Sequence, residues 1–171
     1  NAATRVFAVN SGVTATIDGL TIRDGKVTGA NNGAGILNSG VLTMTGSALI
    51  ANTAVNLGGG INNTGSLTVI SSTVANNAAL RGGGIYSTGA LTVTDSTLEA
   101  NNNYQQGGGI YSSGTLMIAR CTFRANTGGA AGIYNSGLLT VTDSMFEANA
   151  TFQNAGGIQN SGAAIVTNSS F

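Results

Sequence analysis

Histidine, proline and tryptophan are missing from this 171-residue chain, and cysteine occurs once. Without histidine, and with a single cysteine, there is no zinc site of ordinary ligand type and no Ser-His-Asp or Cys-His catalytic set. Charge is scarce. Six basic and six acidic side chains, 7% of the residues, cancel at neutral pH, where an ordinary soluble domain has about a quarter of its residues charged. A neutral chain without a basic cluster has little to offer a phosphate backbone, so nucleic acid is not an expected partner. No apolar run reaches the roughly 18 residues of a membrane-spanning helix, and no cofactor is expected. The lack of proline also carries a positive message, since every strand position stays free to donate its N–H to a ladder.

What the chain has in place of these is a repeat. A small-Gly-Ile triplet recurs, ending at Ile36, Ile61, Ile85, Ile110, Ile133 and Ile158, with intervals of 25, 24, 25, 23 and 25 residues. With each Ile as position zero, +4 is always glycine, from Gly40 through Gly65, Gly89, Gly114 and Gly137 to Gly162. Position +6 is Leu until Ala164, and +8 is Met44, Val69, Val93, Ile118, Val141 and Val166. Position +13 is Leu49, Val74, Leu98, Phe123, Phe146 and Phe171, and +16 is Asn52, Asn77, Asn101, Asn126 and Asn149. All length variation falls between that Asn and the next triplet, as in a loop that tolerates insertion.

Apolar +6 and +8 alternate with Thr-rich +7 and +9, and +11, +13 and +15 alternate with polar +12 and +14. Period two means strands with one buried face. Three short strands in about 24 residues, separated by glycine and Asn-Ser-Gly corners, describe one turn of a solenoid. The fold expected is all-β: a single-stranded parallel β-helix (β-solenoid) of about seven coils, in one domain over residues 1–171. Residues 1–33 form a degenerate first coil and 34–171 six regular repeats, the last incomplete. Like residues then stack about 4.8 Å apart. Gly at +4 is expected to serve a corner with positive φ, and the Asn row to bond from coil to coil. In the degenerate coil, Ala8 is taken as position zero, with one extra residue in the corner after Asn10-Ser11-Gly12.

The pairing of Gly-Gly-Gly-Ile with Phe-x-Ala-Asn, at Phe123–Asn126 and Phe146–Asn149, resembles the GGA-I/L/V and F-x-x-N repeats of chlamydial polymorphic outer-membrane proteins. More broadly, it resembles the right-handed parallel β-helix repeats of bacterial surface and secreted proteins. The resemblance covers residues 34–171 well and 1–33 loosely, and departs where Leu49, Val74 and Leu98 replace Phe. It implies a right-handed coil, which the preference of parallel crossovers also favours. It further implies secretion to the exterior or surface of a bacterium, with little said about chemistry.

Pectate-lyase-like enzymes share such a fold and need clustered carboxylates and a basic group. Here +10 reads Asp95, Arg120, Asp143 and +14 reads Glu99, Arg124, Glu147. An Arg between two acids on adjacent strands is the pattern of cross-strand ion pairs, so both rows are expected to be structural. Tyr86, Tyr111 and Tyr134 at +1 are expected to stack in the open, either shielding the sheet or offering a platform to sugar rings. The Thr-x-Thr rows at +7 and +9 resemble ice-binding surfaces, but Ile70, Met117, Ala119 and Ile165 interrupt them. Cys121, in a Ser row, is expected to be buried and unreactive. The Asn-x-Ser/Thr sequons at Asn62, Asn149 and Asn168 fall to chance in so Asn- and Thr-rich a chain. The glycine triplets lack the lysine and helix of a phosphate loop.

The chain stops at Phe171, at +13 in mid-coil, and begins at Asn1 without a methionine. With Ala8 at zero, Asn1 falls at +16, so one chain's end and another's beginning would nearly complete a coil. Such a heterologous contact does not close and builds a filament. Asn1, Phe7, Ile158, Val166 and Phe171 are the expected contact residues. The expected function is that of a non-enzymatic, secreted β-solenoid subunit stacking head to tail with itself into an extracellular fibre. The alternative is the stalk or passenger segment of a cell-surface adhesin that touches carbohydrate or a host surface. A polysaccharide lyase or hydrolase is a third reading.

Overall fold

The computed structural model describes residues 4–152 and 154–171. Among them there are strands, corners and no helix. Each turn places its strands in the same parallel sheets as the turn before, so strand order in the sheets advances by whole coils. Six complete turns and part of a seventh form a right-handed parallel β-solenoid. In the fourth turn the strands are Ile85–Ser87, Ala90–Thr94 and Thr97–Glu99, followed by Asn102–Gln106. The first three are those the period-two pattern predicts. The fourth lies in the loop after the conserved-position Asn and ranges from two to five residues, which is why no pattern marks it.

The register is that of the repeat. Ile85 lies between Ile61 and Ile110, and Leu91 between Leu67 and Leu116. Alternation puts Ile at zero, Leu at +6, the β-branched or Met residue at +8, and Leu, Val or Phe at +13 into one continuous core. Within it, Phe123 stacks on Phe146 and Phe146 on Phe171, with ring centroids 4.7 and 4.9 Å apart.

Three expectations need correction. The first concerns the degenerate coil, where Phe7, not Ala8, pairs with Ile36, and Val9 pairs with Asn38. Thr14 then faces Val41, so the corner between holds residues 10–13, two more than residues 39–40 in the next coil. A slip of one residue would turn Val9 outward and Ala8 inward, and burial of the larger apolar side chain decides the register.

The second concerns +15, which is not an inward strand position. Ala51, Asn76, Ala100, Ala125 and Ala148 are exposed corner residues with φ of 51–57°. The corner at +10 is also left-handed, at Ser71, Asp95, Arg120, Asp143 and Asn168.

The third concerns the +4 glycines, none of which has positive φ. Their role is close approach. A Cβ on Gly65, Gly89, Gly114 or Gly137 would fall on the carbonyl oxygen of the equivalent glycine one coil below.

Candidate functional site

The inner polar rows are the best-connected part of the molecule. Asn101 is fully buried. Its Nδ2 donates to Val74 O at 2.8 Å and to Asn126 Oδ1 at 3.1 Å. Its Oδ1 accepts from the backbone N–H and the Nδ2 of Asn77, both at 3.0 Å. Asn77 and Asn126 repeat this pattern, Asn52 repeats its donor half while its Oδ1 accepts from Gly25 N–H, and Asn149 receives it at the upper end. Each amide therefore closes its own corner and bonds to its neighbour, leaving no polar atom of the side chain idle in the core. A Ser row at +11 does the same on a smaller scale, with Ser47 N–H donating to Ser72 Oγ and Ser72 N–H to Ser96 Oγ.

Cys121 interrupts that row. It is 2% exposed, and burial pushes its thiol above the ordinary range. A thiol that is buried and protonated is a poor nucleophile. In native buffer it is expected to stay silent towards a disulfide reagent and to react fully once urea unfolds the chain. Prompt native reaction, read by absorbance of the released thiolate, would contradict this placement.

The charged rows are exposed, and each pairs on one side only. Arg120 makes two bonds to Asp95, Nε–Oδ1 at 2.6 Å and Nη2–Oδ2 at 2.9 Å. That contact holds the Asp95 carboxyl below the usual carboxylate range. Arg124 pairs with Glu99. Asp143 and Glu147, on the far side of each Arg, make no ion pair among the described residues. An Arg that engages one carboxylate in a fork has turned away from the other. Among the described residues no group of three or more His, Cys, Asp or Glu side chains could hold a metal ion.

Tyr86, Tyr111 and Tyr134 stack with centroids 4.7 and 5.0 Å apart and planes within 15°. They are half-buried rather than open. Their faces cover one another, so the row presents ring edges to solvent, and a sugar platform needs a free face. Burial raises the Tyr86 phenol, with Tyr111 adding to the shift. The Thr rows on the neighbouring sheet are broken where Met117 and Ile165 stand exposed, as the sequence indicates.

At the ends, Phe7 is 40%, Val166 41% and Phe171 70% exposed, while Ile158 is partly buried against the core. Asn1 lies outside the described residues.

One feature was missed from the sequence. Tyr104 and Phe152 both stand three residues after the row Asn, at Asn101 and Asn149, and both are highly exposed, at 72% and 64%. The loop of the coil between them is the shortest in the chain, seven residues from Asn126 to Ile133 against nine on either side. It carries Gly129 at the equivalent place. The result is an open groove of about 450 Å³, walled by Tyr104 and Phe152 and floored by Thr127, Gly128 and Ala150. The signal was present as loop-length variation, which set the boundaries of the repeat but was not read for relief.

No helix among the described residues is long and apolar enough to cross a membrane. No curated protein and no solved structure gives a significant match to the chain. A family model does, described as a right handed beta helix region, and it matches residues 5–171. With almost the whole chain covered, and with the coil geometry already in place, the protein belongs to the right-handed β-helix family.

Proposed function

We propose that this chain is a non-enzymatic structural rod, secreted to a bacterial surface, whose coils are continued end to end by further copies of itself. The observation that carries this reading is that every turn pairs in parallel with the next at one fixed register, so that a coil is a unit which any further coil of the same pattern continues. The strand Ala163–Thr167 keeps that register on Leu138–Thr142, with Val166 and Phe171 in line with the core columns. The free edge of such a strand offers a row of backbone donors and acceptors to a further parallel strand.

At the other end, Thr14–Asp18 presents the complementary edge, with Ile17 in the same column as Val166. Placing one on the other pairs Ile17 with Val166, Ala15 with Ala164 and Phe7 with Ile158, and continues both ladder and core.

The 171-residue unit is expected to form unbranched fibres with an axial repeat of about 34 Å, seven strand spacings, in a concentration-dependent manner. Electron microscopy and sedimentation over a dilution series would show this. Phe7→Asp and Val166→Asp, one at each end and each at a side chain about 40% exposed, are each expected to leave a folded monomer. A monomer at every concentration, with native circular dichroism, would sink the homopolymer. The same rod as the stalk of a surface adhesin is the second reading, favoured by the likeness of Phe123–Asn126 and Phe146–Asn149 to the repeats of polymorphic outer-membrane proteins.

A further inference from the structure

We propose that the groove between Tyr104 and Phe152 receives Phe152 of a second copy of this chain, so that two solenoids lie side by side, antiparallel, about a two-fold axis. Three residues after the successive row Asn residues stand Val55, Leu80, Tyr104, Gly129 and Phe152. The strands at these places follow one another in a single sheet, so the five positions form a column along the rod. Val55, Tyr104 and Phe152 are exposed and Leu80 is half-buried. The column is an apolar ridge, and Gly129 is the notch in it.

The notch has the width of one ring. Its walls, Tyr104 and Phe152, stand two strand spacings apart, about 9.6 Å. The chain's own aromatic columns stack their rings at 4.7 to 5.0 Å, so one further ring between the walls continues that spacing. The same surface supplies the ring. A two-fold axis across the rods that seats the partner's Phe152 in this notch also seats Phe152 in the partner's notch, which is the isologous contact of a closed dimer. The order of rings is then Tyr104, the partner's Phe152, Phe152, the partner's Tyr104. Seating the partner's Tyr104 in the notch would instead bring the partner's Phe152 to the level of Leu80, where the ridge is filled. No residue lining the groove is charged, and the chain is neutral overall, so two copies meet without like-charge repulsion.

The notch is preformed. A Cβ on Gly129 would fall on Gln105 O. The buried Asn103 brackets the short loop, its Oδ1 accepting from Gly129 N–H at 3.3 Å and its Nδ2 donating to Ala130 O at 3.2 Å. On the far wall, Thr151 Oγ1 donates to Gly129 O at 2.9 Å. A fixed notch loses little conformational freedom when it is filled.

The area sets the strength. Four rings about two-thirds exposed, at about 200 Å² each, cover on the order of 500 Å². A standard interface covers about 1,200–2,000 Å², so single chains pair weakly, with a dissociation constant in about the millimolar range. In an end-to-end fibre the contact recurs in every subunit and becomes multivalent; this last step alone rests on the fibre reading.

The test uses the labelled chain carrying Val166→Asp, which blocks end-to-end stacking. On raising its concentration to the millimolar range, amides of residues 102–104, 127–130 and 150–152 are expected to shift, and sedimentation to show dimer and nothing larger. In a mixture of labelled and unlabelled chains, intermolecular nuclear Overhauser contacts are expected from Phe152 to the partner's Phe152 and from Tyr104 to the partner's Phe152. Phe152→Ala and Tyr104→Ala are each expected to weaken the dimer about tenfold, while Phe152→Tyr retains it. Fibres of the unmodified chain are expected to run in pairs by electron microscopy, and Phe152→Ala fibres singly. The proposal is overturned if these amides do not respond to concentration, if the shifts fall on another face, or if Tyr104 contacts the partner's Tyr104. A chain that forms no fibres at all would sink the end-to-end reading and leave the dimer result standing.

Discussion

Replacing Asn101 by Ala is expected to destabilise the solenoid by about 4 kcal/mol, the sum of three buried groups left without partners at about 1–3 kcal/mol each. The groups are Val74 O, Asn77 N–H and one proton of Asn77 Nδ2, all of which the Asn101 side chain satisfies; the other Nδ2 proton keeps Leu49 O. Asn126 Oδ1 retains the Asn101 backbone N–H and is not orphaned. The site is fully buried, so water does not repair the loss without opening the corner. Asn52 supplies the internal comparison. It is the first residue of the row, where its Oδ1 accepts only from Gly25 N–H and its Nδ2 also serves Ile22 O. Asn52→Ala therefore orphans two groups, and the expected cost is smaller, about 3 kcal/mol.

Urea unfolding gives the two numbers, and amide exchange locates the damage. In a solenoid each coil contacts only its neighbours, so a broken central row should loosen the turns on both sides of it first. If Asn101→Ala costs no more than the same change at exposed Asn102, the row is not what closes the corners.

The rows themselves were legible in the sequence, because stacking makes the same environment recur at the same position. Ile85, Leu91, Val93 and Leu98 occupy four columns of one core, and the 24-residue repeat states those columns directly. Handedness followed from resemblance and general crossover preference. Where the environment does not recur, reading from periodicity failed. The first coil has only one neighbour, and a register judged from Asn10-Ser11-Gly12 missed that Val9 takes the place of a buried Asn. Ala at +15 looked like an inward alternating residue, yet it is a left-handed corner where the small side chain is tolerated. Tyr at +1 was expected to stack in the open; the stack is there, but the rings are half-buried and cover each other's faces. The groove arises from a difference between coils, the short loop at Asn126, and a method that averages repeats discards such differences.

Gly89→Ala is expected to be among the most damaging single methyls in the molecule. Glycine recurs at +4 in the second to seventh turns, and two physical reasons could require it, a positive φ or a lack of space. The backbone angles remove the first. The second is visible along the whole row, where each Cα faces the carbonyl of the glycine one coil below, and a Cβ on Gly89 would fall on Gly65 O and lie 2.8 Å from Thr64 O. The obstacle is backbone on a strand corner already bonded on both sides, for Thr88 N–H donates to Asn63 O at 2.9 Å and Ala90 N–H to Gly65 O at 3.0 Å. Relief therefore requires the third and fourth turns to separate, which breaks the ladder between Ser66–Ile70 and Ala90–Thr94. The expected loss exceeds about 4 kcal/mol, a size that single substitutions reach only through clashes or orphaned groups of this kind.

Gly12→Ala separates the two reasons. Gly12 has φ of 77° and nothing within 4 Å of a Cβ, so it pays only the left-handed penalty of about 1–2 kcal/mol. Urea midpoints of the two variants should differ widely, with amide protection in Gly89→Ala lost across the third and fourth turns together. Equal midpoints would mean that the corner can shift to admit a methyl. The coil spacing would then be set by the side-chain columns rather than by the close approach of the glycine backbones.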